Sequence, residues 1–516
     1  MCYYNINKDV NPKGDTQVMR KNLKLIDSFE TLCSFNSYRA KRNEGLFEIS
    51  LKDVSTECIE QFLIMFLENK NYHIIESEEF FDLQNYDFSR LYYKTHKGEF
   101  LRRLKEYVNN IILMGESSFI LWDFEISIFK EGLEIKKYIG ERSKLEIPEG
   151  ITHIGEEAFA DKKNIQSISF PETLKCIGDE AFSNILDLIE LQLPKSLDTI
   201  GVSAFEGCKN LREVTFNKGL RQILDSAFRV TGLRKVILPD SITTLGEGVF
   251  AECNNLVSVR LSTGLKKWDD SIFAQCKSLK EVILPEGLLN IGKFAFCETP
   301  IESINIPTTV ETIGAGAFAG CTWLSEINLP ANLVEIGKDA FRESGIKRVK
   351  LPESVQIIDR DVFNACMDLE HVVLPNGLKT IPTGMFWNCS IQSIELPHTL
   401  TAIEDYAFFG SSIKSIKIPD SVEVIKANAF AECAYLKEIY LPKNLRSIEF
   451  GAFEATAIEE LYICGNIKCI QDGAFYRCNN LRHIHVPKSL KSVWSDIFKA
   501  TSGLLPPDVT VIFEVD

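Results

Sequence analysis

No stretch of this 516-residue chain reaches the roughly 18 consecutive apolar residues that a membrane-spanning helix needs. The longest candidate, Ile59 to Leu67, falls short. Cations are in the minority, 57 Lys and Arg against 72 Asp and Glu, so the formal charge is −15. That balance leaves no broad basic face for phosphate backbones or anionic lipid. Nucleic acid and membrane insertion are therefore not expected among its partners. The first ten residues are polar, with no basic segment leading into an apolar one, so no secretory leader is read. A cytoplasmic location is expected, with the cell surface or secretion by a nonclassical route as the alternative. There is no Gly-rich phosphate loop, no His-Glu-x-x-His and no Gly-x-Ser-x-Gly, so no catalytic residue, cofactor or enzyme activity is assigned.

What is present is a period. An Ala-Phe step recurs along the chain, and its Phe returns from Phe159, Phe182 and Phe205 through Phe318, Phe341 and Phe363 to Phe475 and Phe498. Each interval is 22 or 23 residues. A fixed period in that range implies stacked solenoid turns, each burying its apolar side against its neighbours.

The slots within one turn read chemically. Leu279-Lys-Glu-Val-Ile-Leu284-Pro285 alternates apolar and outward residues as a strand does, and the Pro, lacking an N–H, ends it. A turn follows and closes on Ile-Gly, as at Ile291-Gly292, where Gly suits positive φ or a close approach. Ala-Phe then turns the chain back, read as a short helical or 3₁₀ piece. The expected fold is a solenoid with a parallel sheet on one face and short helical or 3₁₀ turns on the other. Eight of the 15 cysteines, such as Cys208, Cys321 and Cys433, stand three residues after the marker Phe. They share one buried slot rather than any metal-ligand or disulfide spacing, which fits a reducing compartment. Turns of 22 residues mostly lack the slot Cys.

Residues 1–130 carry none of the period and read as a separate mixed α/β region that could cap the first turn. Strands are expected at Gly45–Leu51, Tyr72–Ile75 and Phe119–Ile128. Helices are expected at Lys21–Leu32, after Ser55 and over Phe100–Leu113. Residues 131–505 form the solenoid of about 16 turns, and 506–516 a C-terminal capping strand.

The unit Leu-x-x-Ile-x-Leu-Pro-x-x-Leu-x-x-Ile-Gly-x-x-Ala-Phe-x-x-Cys resembles the BspA-type, or Treponema pallidum-type, leucine-rich repeat. The likeness covers roughly residues 143–500. It implies a leucine-rich-repeat solenoid with an interaction role. Members are often surface proteins of host-associated bacteria and protists that bind matrix proteins or other cells.

An extended strand face without an enclosed pocket suits a non-enzymatic scaffold that binds a protein or glycan. Two alternatives stand beside it. One is an effector or enzymatic N-terminal domain, where Glu57, His73, Asp82 and His96 are available; the other is a cell-surface adhesin. On the outward strand positions of the last turns stand Tyr440, Tyr462 and His485, with Glu438, Glu460 and His483 two residues before them. Tyrosine favours interfaces because a large ring carries a polar tip, so these six are the candidate partner-binding residues. The paired His483 and His485 are read as surface groups rather than a metal site. Arg348 and Lys350 form a second, basic stretch on the same face.

Overall fold

A computed structural model describes residues 39–41, 46–49, 118–121, 123–129, 132–148, 150–497 and 509–514. The chain forms two compact units, Met1–Leu233 and Arg234–Asp516. The helices expected at Lys21–Leu32, after Ser55 and over Phe100–Leu113, and the Tyr72–Ile75 strand, lie outside the described residues. So do Phe498 and the candidates Glu57, His73, Asp82 and His96.

In the first unit, β1 (Arg39–Lys41) and β2 (Leu46–Ile49) pair as an antiparallel hairpin. The single strand expected at Phe119–Ile128 is broken at Asp123 into β3 (Ser118–Leu121) and β4 (Phe124–Phe129), which pair antiparallel. β4 in turn pairs antiparallel with β5 (Gly132–Tyr138). From β5 onward the pairing becomes parallel and the solenoid begins, through Ile151–Ile154, Cys176–Ile177, Thr199–Ile200 and Gln222–Ile223. The meander closes this end with its own aromatics. Tyr138 stacks on Phe159 at 5.2 Å, and Phe124 lies 5.4 Å from Tyr138.

Most solenoid turns carry two strand segments. The three-residue strands, such as Glu190–Gln192 beside Glu213–Thr215, bury only their middle residue. The second sheet is narrower, mostly two residues per turn, ending on the Ile or Leu before the slot that often holds Gly. Only one sheet was expected. At Gly178 and Gly337 the glycine answers a close approach. A Cβ would lie 2.7 Å from the Ile154 carbonyl oxygen at the first and 2.6 Å from the Ala315 nitrogen at the second.

The Ala-Phe corner is a ladder of turns where helical pieces were expected. The residues two before and two after the marker Phe both have positive φ, for example Glu157 (51°) and Asp161 (56°), or Gly316 (60°) and Gly320 (70°). Left-handed residues on each side stop any helix from propagating. They turn alternate N–H groups along the stack. Gly316, Phe318 and Gly320 donate to the carbonyls of Lys338, Ala340 and Arg342, each at 2.8 Å. Ser203, Phe205 and Gly207 do the same to Asp225, Ala227 and Arg229.

Inside this corner the Phe rings stack. In the first unit Phe159, Phe182, Phe205 and Phe228 lie 4.7–5.3 Å apart. In the second, rings from Phe250 to Phe475 follow at 5.0 to 6.0 Å with nearly parallel planes. All are essentially inaccessible, and each burial stabilises by about 1.5–3 kcal/mol.

The cysteine slot belongs to the same corner. Cys321 and Cys366 donate Sγ–H to the carbonyls of Phe296 and Phe341 at 3.0 and 2.9 Å. Where the slot lacks Cys in a 22-residue turn it holds Thr or Ser. Thr299 and Thr456 bond their own marker carbonyl, Phe296 and Phe453. Ser344 and Ser411 contact the next Cys sulfur at 3.4 Å. The slot is therefore a side-chain hydrogen-bonding position that accepts thiol or hydroxyl. Burial pushes the thiols of Cys208, Cys321 and Cys433 up to about 12, and that of Cys366 up to about 11.

Candidate functional site

The second unit carries the six candidate residues on three of its strands. Glu438–Tyr440 pairs in parallel with Ser415–Lys417, setting Tyr440 beside Lys417. Glu460–Tyr462 pairs with His483–Pro487, setting Glu460 beside His483 and Tyr462 beside His485. Period-two geometry sends Ile439 and Leu461 into the core, so the flanking residues must face outward. Tyr440 and Tyr462 are 58% and 53% exposed, which is large for aromatic rings.

Tyr462 and His485 form a stack, with centroids 4.3 Å apart and planes within 9°. The Tyr462 hydroxyl donates to Glu460 Oε2 at 3.0 Å, and this bond to a carboxylate holds the phenol above its ordinary value. Glu460 Oε1 lies 3.7 Å from His483 Nδ1. The side chains of Tyr440 and Glu438 stand apart, with no hydrogen bond, ion pair or ring contact among the described residues. The three turns therefore present one stacked pair and one unengaged tyrosine rather than a continuous ladder of three rings.

The break has a local cause. In this unit the paired three-residue strands are 23 residues apart, as Tyr462 and His485 are. No ladder of two or more residues crosses a 22-residue step such as Tyr440 to Tyr462. The shortened corner at Thr456-Ala457 lies between these two strands, and no such ladder joins them.

Two participants escaped the sequence. Glu514, on the closing strand Thr510–Glu514, meets His485 Nδ1 at 2.6 Å. Its 29-residue separation from His485 belongs to no repeat spacing. Tyr435, at the corner leading into Glu438–Tyr440, is a further exposed ring, at 60%. Its slot is polar in most other turns, a departure the slot alignment would have exposed. Among the described residues no group of three His, Cys, Asp or Glu is placed to hold a metal ion. No described helix is long and apolar enough to cross a membrane.

Comparison with known proteins agrees with this architecture. The model of the BspA type leucine rich repeat region, built of six copies, matches residues 137–257, 221–315, 289–414 and 401–506. A leucine-rich repeat protein from Bacteroides ovatus is 25% identical, with a TM-score of 0.61 over 74% of this chain and 100% of its own. The Treponema pallidum leucine-rich repeat protein is 27% identical over 39% of this chain and 88% of its own, at a TM-score of 0.33. A leucine rich cell surface protein from Faecalibacterium prausnitzii is 20% identical over 77% of this chain and 94% of its own, at 0.37. No curated protein matches the chain. With the Phe column, the paired parallel strands and a family model spanning residues 137 to 506, this chain belongs to the BspA-type leucine-rich repeat family.

Proposed function

We propose that the protein is a non-enzymatic scaffold that binds a protein ligand on the strand face of its second unit, with Tyr440 and Tyr462 as anchors. The observation that carries this is their exposure on a rigid sheet. Both rings stand outward over buried Ile439 and Leu461, and the Tyr440 side chain has no partner of its own among the described residues. A ring held by a parallel sheet loses little conformational freedom on binding, and Tyr supplies both apolar area and a hydroxyl. Glu438, Glu460 and His483 flank the rings with polar groups, as the rim of an interface requires, while His485 lies beneath Tyr462 and supports it.

The full chain used as bait on extract from its native source tests this. Replacing Tyr440 and Tyr462 together by Ala should reduce the captured protein at least about tenfold, the scale of interface anchors, while the thermal unfolding midpoint stays in place. Capture unaffected by the double replacement would remove the site.

A further inference from the structure

The outward residues of the second unit fall into three columns along the stack, one position before each three-residue strand and at its first and third residues. From Asn328 to His485 these columns cross eight turns. Both signs occur in both halves. Lys347, Arg348 and Lys350 stand with Glu326, Glu370 and Glu395 in the earlier turns. Glu438, Glu459 and Glu460 stand with Lys414, Lys417, Lys437 and Arg482 in the later ones, where Tyr440 and Tyr462 also lie. The side chains of Lys347, Arg348, Lys350, Lys417, Glu438 and Glu459 make no hydrogen bond or ion pair among the described residues.

We propose that this face pairs with the same face of a second copy of the chain, about a two-fold axis parallel to the strands and passing between the turns of Glu395 and Lys417. The inference rests on the reading of Tyr440 and Tyr462 as binding residues and names their partner. A rotation about such an axis keeps each column on itself and reverses the order of turns. In the third-residue column it sets Lys417 on Glu395, Tyr440 on Val373 and Tyr462 on Lys350. In the first-residue column it sets Glu438 on His371 and Glu460 on Arg348. In the column before the strands it sets Lys437 on Glu370 and Glu459 on Lys347. Opposite charges meet in all three columns, Val373 (52% exposed) covers Tyr440, and the Lys350 ammonium meets the Tyr462 ring. A two-fold along the stack would instead set each turn on itself, opposing Arg348 and Lys350 to their own copies. Like charges across an interface forbid it.

Eight turns at about 4.8 Å, three residues wide, give a patch of roughly 400 Å² per copy, about half that of a standard stable interface. The dimer is therefore weak, concentration-dependent and sensitive to salt.

Sedimentation velocity on the full chain tests it. At about 50 mM salt, where exposed charges act over more than 10 Å, the mass should double on going from about 1 to about 100 µM, the range for a half-size interface. Arg348→Glu with Lys350→Glu, and separately Glu438→Lys with Glu460→Lys, should each weaken dimerisation at least about 30-fold through like-charge repulsion. An equimolar mixture of the two variants should restore the dimer. All replaced residues are exposed or outward, and circular dichroism confirms that the variants fold.

A chain that stays monomeric at about 100 µM, a dimer indifferent to either charge reversal, or a mixture that fails to reassociate each overturns the proposal. A monomeric chain whose captured protein still depends on Tyr440 and Tyr462 overturns self-pairing and leaves the protein-binding face standing. A dimer that obeys the charge rule, beside capture indifferent to both tyrosines, keeps self-pairing and removes the foreign ligand.

Discussion

The Phe corner and the strand face belong to the same turns and obey opposite rules. At the corner each turn of a unit repeats the one before: an aromatic ring stacked on the last, a left-handed residue on either side and, from Cys208 onward, a thiol or hydroxyl in one slot. On the strand face only the buried middle residue is constant. Its neighbours run from Arg348 and Lys350 through Val373 to Glu438, Tyr440 and His485. Uniformity marks where the array is held together, and variety marks where it meets something else. Burial explains why. A corner residue has a neighbour above and below that any change disturbs, whereas an outward strand residue answers only to solvent and partner.

Breaking the uniform side should cost most. Phe318→Ala, in the middle of the second unit's column, should destabilise by about 3–5 kcal/mol in denaturant unfolding. A loss under about 1 kcal/mol would show that the column tolerates gaps and that the contrast with the strand face is weaker than drawn.

Alkaline pH tests the same corner through its thiols. Cys321, held at about 12 against an ordinary value near 9, stays protonated in the fold while the unfolded chain ionises. The sign follows: its contribution is whole below pH 9 and is lost as pH rises through 9 towards about 12. Between those limits stability should fall by about 1.4 kcal/mol per pH unit for each such thiol. Cys321→Ser should make the slope shallower by that amount, and an unchanged slope would contradict the buried thiol.

A smaller gain is expected at Val230, a β-branched residue at φ 57° in a slot that Gly occupies in the next turn back, at Gly207. Val230→Gly relieves left-handed strain worth about 1–2 kcal/mol and gives back some in chain entropy. A net rise of about 0.5–1 kcal/mol is expected by chemical denaturation. Smallest of all should be the stability effect on the variable face. Tyr440→Ala with Tyr462→Ala should shift unfolding by no more than about 0.5 kcal/mol per site, and a larger loss would make those rings part of the framework.

The solenoid and its Phe column were legible because the marker Phe recurs without substitution, with a small or aliphatic residue before it. The left-handed pair beside each Phe was not, because its occupants share no chemistry: Glu157, Ser203, Val230, Phe294 and Tyr406 all adopt it. Hydrogen bonds to adjacent turns, rather than side-chain type, impose that backbone. The second sheet was hidden for a related reason, since two residues per turn are too few to show alternation. The slot cysteines were readable as buried. Their exchange with Thr299, Ser344 and Thr456 became meaningful only once each was found at a marker carbonyl or a neighbouring sulfur. At the candidate site the outward direction of Tyr440 and Tyr462 followed from strand periodicity. The coupling of Tyr462 to His485 but not to Tyr440 depends on one residue of corner length.

The corner ladder has a polarity with evolutionary weight. Because Ser203, Phe205 and Gly207 in the first unit, like Gly316, Phe318 and Gly320 in the second, all offer their N–H groups to the following turn, the seams that carry this ladder within a unit present the same plug and the same socket. Excising or duplicating one whole period leaves ends that still interlock. Chains of this kind can thus change length by unequal crossing-over without inventing new packing, while the outer columns are reshuffled each time.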